Sequence, residues 1–372
     1  MTTVGICFSN IHDNNLPELT KTRTIASVPF GARYRMIDFT LSSMVNAGIE
    51  NIGIITRTKY RSLMEHIGTG KDWDLNRNNG GVTFLTPFFE AGSGPLYSNR
   101  LEALQNSFKY IQMINADYVL MADCDLVANF PFDEIIKYHE KSGADITGAY
   151  KKAQFNHRVA RYSEIFNIDK DNTIQSVSVV EELLGSLNFG MNIWVMKKSL
   201  LQDIIKDSRI YGYKSFSREL LPMLLEKLNV KAYEYKGYLG GIDSLYDYYE
   251  TNMDLLDNNI RHEIFGQDNS PIYTRVMDSA PTRYGANAKV TNSVISDGCV
   301  INGTVENSII FRDVRIDEGA VVKNSIIFSK SIIEMNADLD YIVTDKQVVI
   351  SKGRRLYGCT GHPFFIGFGE IV

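Results

Sequence analysis

A short phrase recurs three times near the C-terminus, and this repeat constrains the fold more than any other feature of the sequence. It begins at Asn292, Asn307 and Asn324, reads Asn-Ser followed by two aliphatic residues, and recurs at intervals of 15 and 17 residues. A second phrase at Asp297 is echoed at Glu318. Intervals near three hexapeptides are typical of one coil of a parallel β-helix. We therefore predict a left-handed parallel β-helix.

The predicted β-helix occupies residues 284–372, where β-branched runs alternate with Gly, Asn and Asp and no helical period is present. Small aliphatic side chains are expected to point inward at its corners, namely Val294, Val300, Ile316 and Val322. A β-sandwich of short strands is the alternative architecture. The repeated Asn-Ser phrase favours the β-helix.

The first 257 residues have a different pattern, in which apolar strand-like runs alternate with helical segments. The predicted strands are Val4–Phe8, Ile52–Thr56, Tyr118–Ala122, Ile146–Tyr150 and Gly190–Val195, and the predicted helices are Leu41–Ala47, Leu101–Ile114 and Phe132–Glu140. Such alternation is typical of an α/β domain with a parallel sheet and helices on both faces. We predict this domain over residues 1–257, a linker over 258–283 and the β-helix over 284–372.

Composition excludes several classes of partner. The 372 residues include 39 basic and 44 acidic residues, with a net charge of −5 and no block of like charge. The sequence therefore has neither a basic surface for nucleic acid nor an apolar run that could span a membrane. The four cysteines are too scattered for a paired metal or redox site. Because no cationic, apolar leader precedes the first strand, we expect a cytoplasmic protein with reduced thiols.

Three longer segments, Ser27–Ile49, Thr56–Leu75 and Tyr248–Leu256, precede the predicted β-helix. Together with it they resemble bacterial ADP-glucose pyrophosphorylase, the glucose-1-phosphate adenylyltransferase family that joins ATP to glucose 1-phosphate for glycogen synthesis. The resemblance covers nearly the whole chain, and VPFGARYRMIDFTL within the first segment is its most specific part. It implies a Rossmann-like nucleotidyltransferase domain followed by a left-handed β-helix.

The sequence departs from this family where the family carries its chemistry. A glycine-rich loop with an arginine is expected after the first strand, but residues 9–16 contain neither residue type. Ile25 stands at the position of a family lysine, and Ser98–Ala103 replaces the segment that packs on the nucleotide. Glu182 stands where a lysine binds the sugar phosphate, and a carboxylate there would repel phosphate. No residue is therefore assigned to nucleotide binding.

Two carboxylates hold Mg²⁺ in the family mechanism, and the motifs retain one of them. Asp125 matches the first carboxylate, whereas Gly241 occupies the position of the second. Asp243, two residues further along, is disfavoured as a metal ligand because a two-residue shift along a strand moves a side chain roughly 6.5 Å. We predict that Asp125 is a vestigial catalytic residue and the one remaining candidate metal ligand. Mg²⁺ is expected as a cofactor only if activity remains.

Other candidate residues have ordinary structural interpretations. His12 and His66 have no second ligand at metal spacing, so we expect solvated or hydrogen-bonded side chains rather than metal ligands. Arg35 and Asp38 belong to the family framework, and we expect an Arg–Asp contact that fixes a loop on the start of a helix.

Three functions are compatible with these residues. The first is a regulatory, non-catalytic subunit of ADP-glucose pyrophosphorylase in glycogen biosynthesis, joined in a hetero-oligomer to a catalytic paralogue and responsive to sugar-phosphate effectors. The resemblance to the D-type subunit of the family implies this role. The second is a weakly active glucose-1-phosphate adenylyltransferase in which Asp125 and Asp243 share a metal. The third is a sugar-phosphate-sensing scaffold outside glycogen synthesis. The accumulated losses in the crevice favour the first.

Overall fold

The computed structural model describes residues 2–87 and 97–372, and for residues 156–162 it describes the backbone alone. The strands of the N-terminal region are β1 (Thr3–Phe8), β2 (Pro29–Phe30), β3 (Tyr34–Arg35), β4 (Asn51–Ile55), β5 (Gly81–Leu85), β6 (Tyr118–Asp123), β7 (Leu126–Val127), β8 (Ile146–Ile168), β9 (Ile174–Lys197), β10 (Val230–Glu234) and β11 (Gly240–Gly241).

Ten helices accompany these strands in the described part of the chain. They are α1 (Pro17–Thr20), α2 (Met36–Asn46), α3 (Arg61–Ile67), α4 (Arg100–Asn106), α5 (Phe108–Met113), α6 (Phe132–Ser142), α7 (Lys198–Tyr211), α8 (Leu221–Leu225), α9 (Leu245–Met253) and α10 (Asn258–Phe265). Short 3₁₀ turns lie at Asp13–Asn15, Ile25–Ser27, Lys71–Trp73 and Asp254–Leu256, and a π-helical turn lies at Phe216–Leu220. Among the described residues, no helix has both the length and the apolar character needed to cross a bilayer.

The central sheet has seven strands in the order β10-β8-β9-β6-β1-β4-β5. β1 pairs parallel with β4 and β6, whereas β9 pairs antiparallel with both β6 and β8. The prediction of a parallel sheet is therefore wrong at β9. β8 and β9 are the 23- and 24-residue arms of one hairpin, and two strands joined by a tight turn must run antiparallel.

Helices cover both faces of this sheet, as the alternating sequence pattern predicts. Along β6, Val119 and Met121 join the apolar cluster under α4, α5, α7 and α8. Leu120 and Ala122 join the cluster under α2, α3 and α6 on the opposite face. The predicted helix Leu101–Ile114 is two helices, because Ser107 caps α4 with its backbone N–H and α5 begins at the next residue.

The C-terminal region is a left-handed parallel β-helix, as predicted. Its strands are β12 (Arg283–Tyr284), β13 (Lys289–Thr291), β14 (Val294–Ile295), β15 (Val300–Ile301), β16 (Thr304–Glu306), β17 (Ile309–Ile310), β18 (Arg315–Ile316), β19 (Val321–Lys323), β20 (Ile326–Ile327), β21 (Ile332–Ile333), β22 (Asp338–Asp340), β23 (Ile342–Thr344), β24 (Val349–Ile350), β25 (Arg355–Tyr357) and β26 (Phe364–Ile366). Every third strand pairs in parallel, which gives three five-stranded sheets.

The asparagine of each repeated phrase forms a ladder along one corner of the β-helix. Asn292, Asn307 and Asn324 have φ of 41°, 45° and 44°, a left-handed conformation that asparagine tolerates better than most residues. The Nδ2 of Asn292 donates to Oδ1 of Asn307 at 2.8 Å, and Asn324 donates to Asp340 at 2.8 Å. The repeat in the sequence is therefore a repeat of one corner geometry.

The two aliphatic residues of the repeated phrase face opposite sides of their sheet. Ile310 and Ile327 lie inside the β-helix, whereas Ile309 and Ile326 point outward into a cluster shared with the N-terminal domain. Val294 packs against this outer cluster, so the prediction that it points inward is wrong. Successive strand residues face opposite sides of a sheet. Here one side is covered by the interior of the β-helix and the other by the N-terminal domain.

Two further predicted interior residues, Ile316 and Val322, are buried inside the β-helix as expected. Val300 is only half-buried, and its neighbour Ile301 takes the interior position instead. The outward positions of sheet β14-β17-β20-β23-β26 are thus the ones that join the two domains.

Polar contacts reinforce the junction between the domains. Arg23 donates through Nη2 to both carboxylate oxygens of Asp345 at 2.8 and 2.9 Å, and both side chains are buried. The Tyr249 hydroxyl donates to the backbone oxygen of Asn324 at 2.7 Å.

We predict that Ile326→Ala lowers the free energy of unfolding by about 2–5 kcal/mol, because it opens a cavity in the fully buried interdomain cluster. Ile332→Ala is the matched control, since Ile332 is half-buried and pairs with Arg315, whose side chain is exposed. Ile332→Ala should lower the free energy of unfolding by roughly half as much as Ile326→Ala, or less. Denaturant unfolding measures both, and equal losses would contradict the assigned interdomain contact.

Candidate functional site

The loop after β1 is closed by its own side chains rather than open toward a ligand. Ser9 donates through Oγ to the backbone oxygen of Ile55 at 2.9 Å. Buried Asp13 accepts through Oδ1 from the backbone N–H of Ile25 at 2.7 Å. All residues from Ser9 to Leu16 have negative φ, so the loop lacks the left-handed turn that glycines provide where backbone amides close around phosphate.

Asp123 and Asp125 stand at the carboxyl end of β6, where an α/β sheet binds its ligands. Asp123 is the last residue of β6 and lies opposite Phe8 of β1. Gly241 lies opposite Leu126 in the short antiparallel pair of β11 and β7, and Ile242 donates its N–H to the backbone oxygen of Asp125 at 3.3 Å. The position of the missing family carboxylate is thus next to Asp125.

His12 is part of this carboxylate cluster: its side chain is hydrogen-bonded, as expected, but the premise that no second possible ligand lies near it is wrong. Its Nδ1 lies 2.5 Å from Oδ2 of Asp125 and 3.8 Å from Oδ2 of Asp123. Ligand atoms of these three residues all lie within 4.8 Å of one another. β1 and β6 are adjacent parallel strands, so residues beyond their carboxyl ends meet, although His12 and Asp125 are 113 positions apart.

Arg100 enters the same cluster from the first turn of α4. Its Nη2 donates to Oδ2 of Asp123 at 2.5 Å, and its Nη1 lies 3.9 Å from Oε1 of Glu164 on β8. The guanidinium also lies over the ring of Phe8, 5.5 Å from its centroid. Asn99 caps α4 by accepting the N–H of Glu102 at 2.9 Å, which fixes the start of the helix that carries Arg100.

Sequence reasoning missed two members of this cluster. It identified Ser98–Ala103 only as a replacement for the segment that packs on the nucleotide, and it did not single out Arg100 within that segment. Glu164 lies in the arm of β8 that extends beyond the predicted strand, and it accepts a hydrogen bond from the Ser217 hydroxyl. A buried Asp at a strand end requires a countercharge. A search of the sequence for a cation that could pair with Asp123 was therefore the way to find Arg100.

The charges of the cluster compensate one another. Burial acts to lower the pKa of His12, but the charge and hydrogen bond of Asp125 outweigh burial and raise that pKa to about 9. Burial acts to raise the pKa of Asp125, yet His12 holds it below its ordinary value. Burial raises the pKa of Asp123 and that of Glu164, although the charge of Arg100 acts to lower both. Near neutral pH, therefore, His12 and Arg100 are two cations facing Asp123, Asp125 and Glu164.

This arrangement does not fit Mg²⁺. Such an ion takes about six oxygen ligands and usually keeps several waters. One oxygen of each aspartate is already held, by Arg100 and by His12 respectively. The other oxygen, Oδ1 of Asp123 and of Asp125, is buried without a hydrogen-bond partner in the described structure. His12, Asp123 and Asp125 converge as a metal site would, but both Oδ1 atoms are buried, so an ion would reach these carboxylates only if Arg100 or His12 gave up its contact.

Beside the cluster lies an open crevice of about 780 Å³. Its walls are largely amides and hydroxyls, including Asn15, Asn99, Asn192 and Ser215. Glu181 lines the crevice, whereas Glu182, the residue predicted to face the sugar phosphate, is exposed and outside this lining. Of these two residues, Glu181 is thus the carboxylate on the crevice wall.

Asp243 follows Ile242, which is hydrogen-bonded to the backbone of Asp125, but it does not join the carboxylate cluster. It is not among the three residues whose ligand atoms converge, and its Oδ1 accepts a hydrogen bond from Nδ2 of Asn15 at 3.2 Å.

A second, basic pocket of about 250 Å³ lies between the two domains. It is lined by six arginine and lysine side chains, Arg33, Arg35, Arg275, Arg312, Lys330 and Lys346, with Asp313 as its carboxylate. Burial, together with the charges of Arg35 and Arg23, lowers the pKa of Lys346 to about 7.

The expected Arg–Asp contact at the edge of this pocket is made by the backbone. Asp38 accepts from the backbone N–H of Arg35 at 2.9 Å, which caps the start of α2. His66 is hydrogen-bonded, as expected, because its Nε2 lies 2.6 Å from Oδ1 of Asp38.

Comparisons with known proteins agree with the fold. A family model described as nucleotidyl transferase matches residues 14–257, and one described as GlmU-like, C-terminal hexapeptide matches residues 278–357. The glycogen biosynthesis protein GlgD of Bacillus subtilis is 31% identical over 99% of this chain and 96% of its own length. Glucose-1-phosphate adenylyltransferase of Geobacillus stearothermophilus is 33% identical over 83% of this chain and 80% of its own length.

A similar enzyme from Mycoplasma mobile, also a glucose-1-phosphate adenylyltransferase, is 30% identical over 83% of this chain and 81% of its own length. The chain therefore belongs to the nucleotidyl transferase family, in the group that contains GlgD and the bacterial glucose-1-phosphate adenylyltransferases. The resemblance on which the sequence analysis relied is confirmed.

Proposed function

We propose that this protein is a regulatory, non-catalytic subunit of ADP-glucose pyrophosphorylase in glycogen biosynthesis, acting on a catalytic paralogue that makes ADP-glucose from ATP and glucose 1-phosphate. One observation carries the proposal. The carboxylates at the end of β6 are bound by the chain's own cations, Arg100 and His12. A cytoplasmic location belongs to the same proposal.

The reaction requires groups that this crevice does not offer. Adenylyl transfer depends on positioned positive charge around the triphosphate and on a metal at the reacting phosphate. Here the loop after β1 is closed through Asp13 and Ile25, and the cations Arg100 and His12 are bound to carboxylates. On the crevice wall the positive charge of Arg218 is matched by the negative charge of Glu181. Loss of a single electrostatic contributor commonly lowers the rate about 10²–10³-fold, and several are absent together.

The weak-enzyme hypothesis has less support. It requires Asp125 and Asp243 to share a metal, but Asp125 is held by His12 at 2.5 Å and Asp243 is hydrogen-bonded to Asn15. A scaffold outside glycogen synthesis also has less support, because the relative that aligns with 99% of this chain is described as a glycogen biosynthesis protein.

The basic pocket supports the further proposal that sugar phosphates act as effectors. Six cationic side chains and one carboxylate line it, which suits a phosphate dianion. The pocket takes residues from both domains, since Arg33 and Arg35 precede α2 while Lys330 and Lys346 belong to the β-helix. A ligand bound there would favour one arrangement of the domains over another, which allosteric control requires.

Mixing this chain with a catalytic paralogue from the same genome should change turnover or effector response by roughly 5–150-fold, the range of ordinary coupling free energies. Steady-state assays of ADP-glucose formation, with and without the chain, measure the change. A hetero-oligomer should appear in the same mixture by mass measurement. A mixture that neither associates nor differs in activity from the paralogue alone would contradict the proposal.

The mixture also discriminates between the regulatory and the weak-enzyme hypotheses. Asp125→Asn in this chain alone keeps the size and shape of the side chain but removes its charge. The regulatory role predicts that the mixed assembly keeps its activity. If the substitution abolishes activity while the assembly stays intact, Asp125 is catalytic.

Sugar-phosphate binding to the basic pocket should weaken as pH rises from 7.0 to 8.5. Lys346, with a pKa of about 7, loses its proton in this interval, whereas a phosphate monoester with its second pKa near 6 stays dianionic. We expect glucose 6-phosphate to bind about 3- to 10-fold more weakly at the higher pH, as measured by calorimetry.

Lys346→Met should weaken binding at pH 7.0 and remove most of this pH dependence. The control is Lys289→Met, at an exposed lysine of β13 outside the pocket lining. It should leave both the affinity at pH 7.0 and the pH dependence of binding unchanged. An unaltered pH dependence in Lys346→Met would assign the effect to another group.

A further inference from the structure

We propose that the guanidinium of Arg100 takes the place of a metal ion beside Asp123 and excludes divalent metal from that carboxylate. This inference extends the proposed function, because it names the group that keeps metal out of the crevice. Only its role in the loss of catalysis rests on the proposed function. The test measures metal binding and not regulation. The inference can therefore fail while the regulatory role stands, and the regulatory role can fail while the inference stands.

The guanidinium is surrounded by groups from three strands. Asp123 ends β6 and lies 2.5 Å from Nη2, Glu164 of β8 lies 3.9 Å from Nη1, and the ring of Phe8 at the end of β1 lies beneath the guanidinium. Arg100 itself is only 8% exposed. A buried arginine so placed is held by its countercharges, because an unpaired buried cation would be strongly disfavoured.

The backbone holds Arg100 in this position as well. Glu102 accepts from the N–H and hydroxyl of Ser98 at 2.7 and 2.9 Å, and Asn99 caps the helix. Leu101 and Leu104 of α4 are buried in the cluster beneath the sheet. Contacts on both sides of Arg100 therefore fix the backbone at the start of α4. The Arg100 side chain extends from this fixed backbone to the carboxylates.

A divalent ion and this guanidinium would compete for the same charge. An ion bound to Asp123 would lie within a few ångströms of Nη2, and like charges at that distance repel strongly in a buried site. The second oxygen of Asp123 offers no alternative approach, because it is closed to water. Arg100 thus supplies the positive charge that a metal ion would otherwise supply to Asp123.

Removal of the guanidinium should therefore open the site to a cation. Arg100→Gln keeps a polar side chain but removes the guanidinium, which leaves Asp123 and Glu164 without their shared countercharge. We expect the variant to bind Mn²⁺ at least about tenfold more tightly than the wild-type chain, and electron paramagnetic resonance of free Mn²⁺ measures the difference.

Arg218→Gln is the matched control, since Arg218 lines the crevice outside the carboxylate cluster. It removes the same charge from the crevice wall and should leave Mn²⁺ affinity at the wild-type level. Equal affinity in Arg100→Gln and Arg218→Gln would overturn the inference, as would wild-type binding as tight as that of Arg100→Gln.

A measurement on the wild-type chain keeps the test decisive if Arg100→Gln fails to fold. Bound Mn²⁺ broadens nuclear resonances near it, and His12 lies beside both aspartates. In histidine-labelled wild-type protein, Mn²⁺ at micromolar concentration should leave the His12 signals no broader than those of exposed His262. Selective broadening of the His12 signals would show that the carboxylates accept a metal with Arg100 in place, and would overturn the inference.

Discussion

Buried charge at the end of β6 must be compensated, and the crevice is arranged around this constraint. Asp123 and Asp125 are both buried, and a carboxylate in such a place stays ionised only beside positive charge and hydrogen-bond donors. Arg100 supplies the charge from α4, and His12 supplies it from the loop after β1. The contact with His12 also holds that loop across the crevice. Two departures from the family, in the loop after β1 and in Ser98–Ala103, thus belong to one set of contacts.

A second constraint acts at the junction of the domains. The outward aliphatic residues of one β-helix sheet, including Ile309 and Ile326, share a buried cluster with Phe30, Phe39 and Tyr248 of the N-terminal domain. Burial of this kind favours one relative placement of the domains. The basic pocket lies at the same junction, so its shape depends on that placement. Under the proposed function, the chain keeps the surfaces that position the domains and lacks the family chemistry in its crevice.

The sequence predicts some of this structure well, for physical reasons. The β-helix follows from a repeat in which each asparagine occupies the same left-handed corner, and a local repeat needs no knowledge of distant contacts. The hairpin of β8 and β9 was missed because polar, exposed arms carry little apolar signal. The association of His12 with Asp125 depends on which strands are adjacent in the sheet, and a lone histidine in the sequence gives no information on that order. Arg100 was overlooked because its partner Asp123 is 23 residues away and on another element.

The central claim is that this chain has kept the family fold without the family reaction. A single-turnover assay tests it most directly, with the isolated chain in excess over labelled glucose 1-phosphate in the presence of ATP and Mg²⁺. The account predicts ADP-glucose formation at less than about one-thousandth of the rate of a catalytic relative. Formation within about tenfold of that relative's rate, from protein free of any catalytic paralogue, would contradict it.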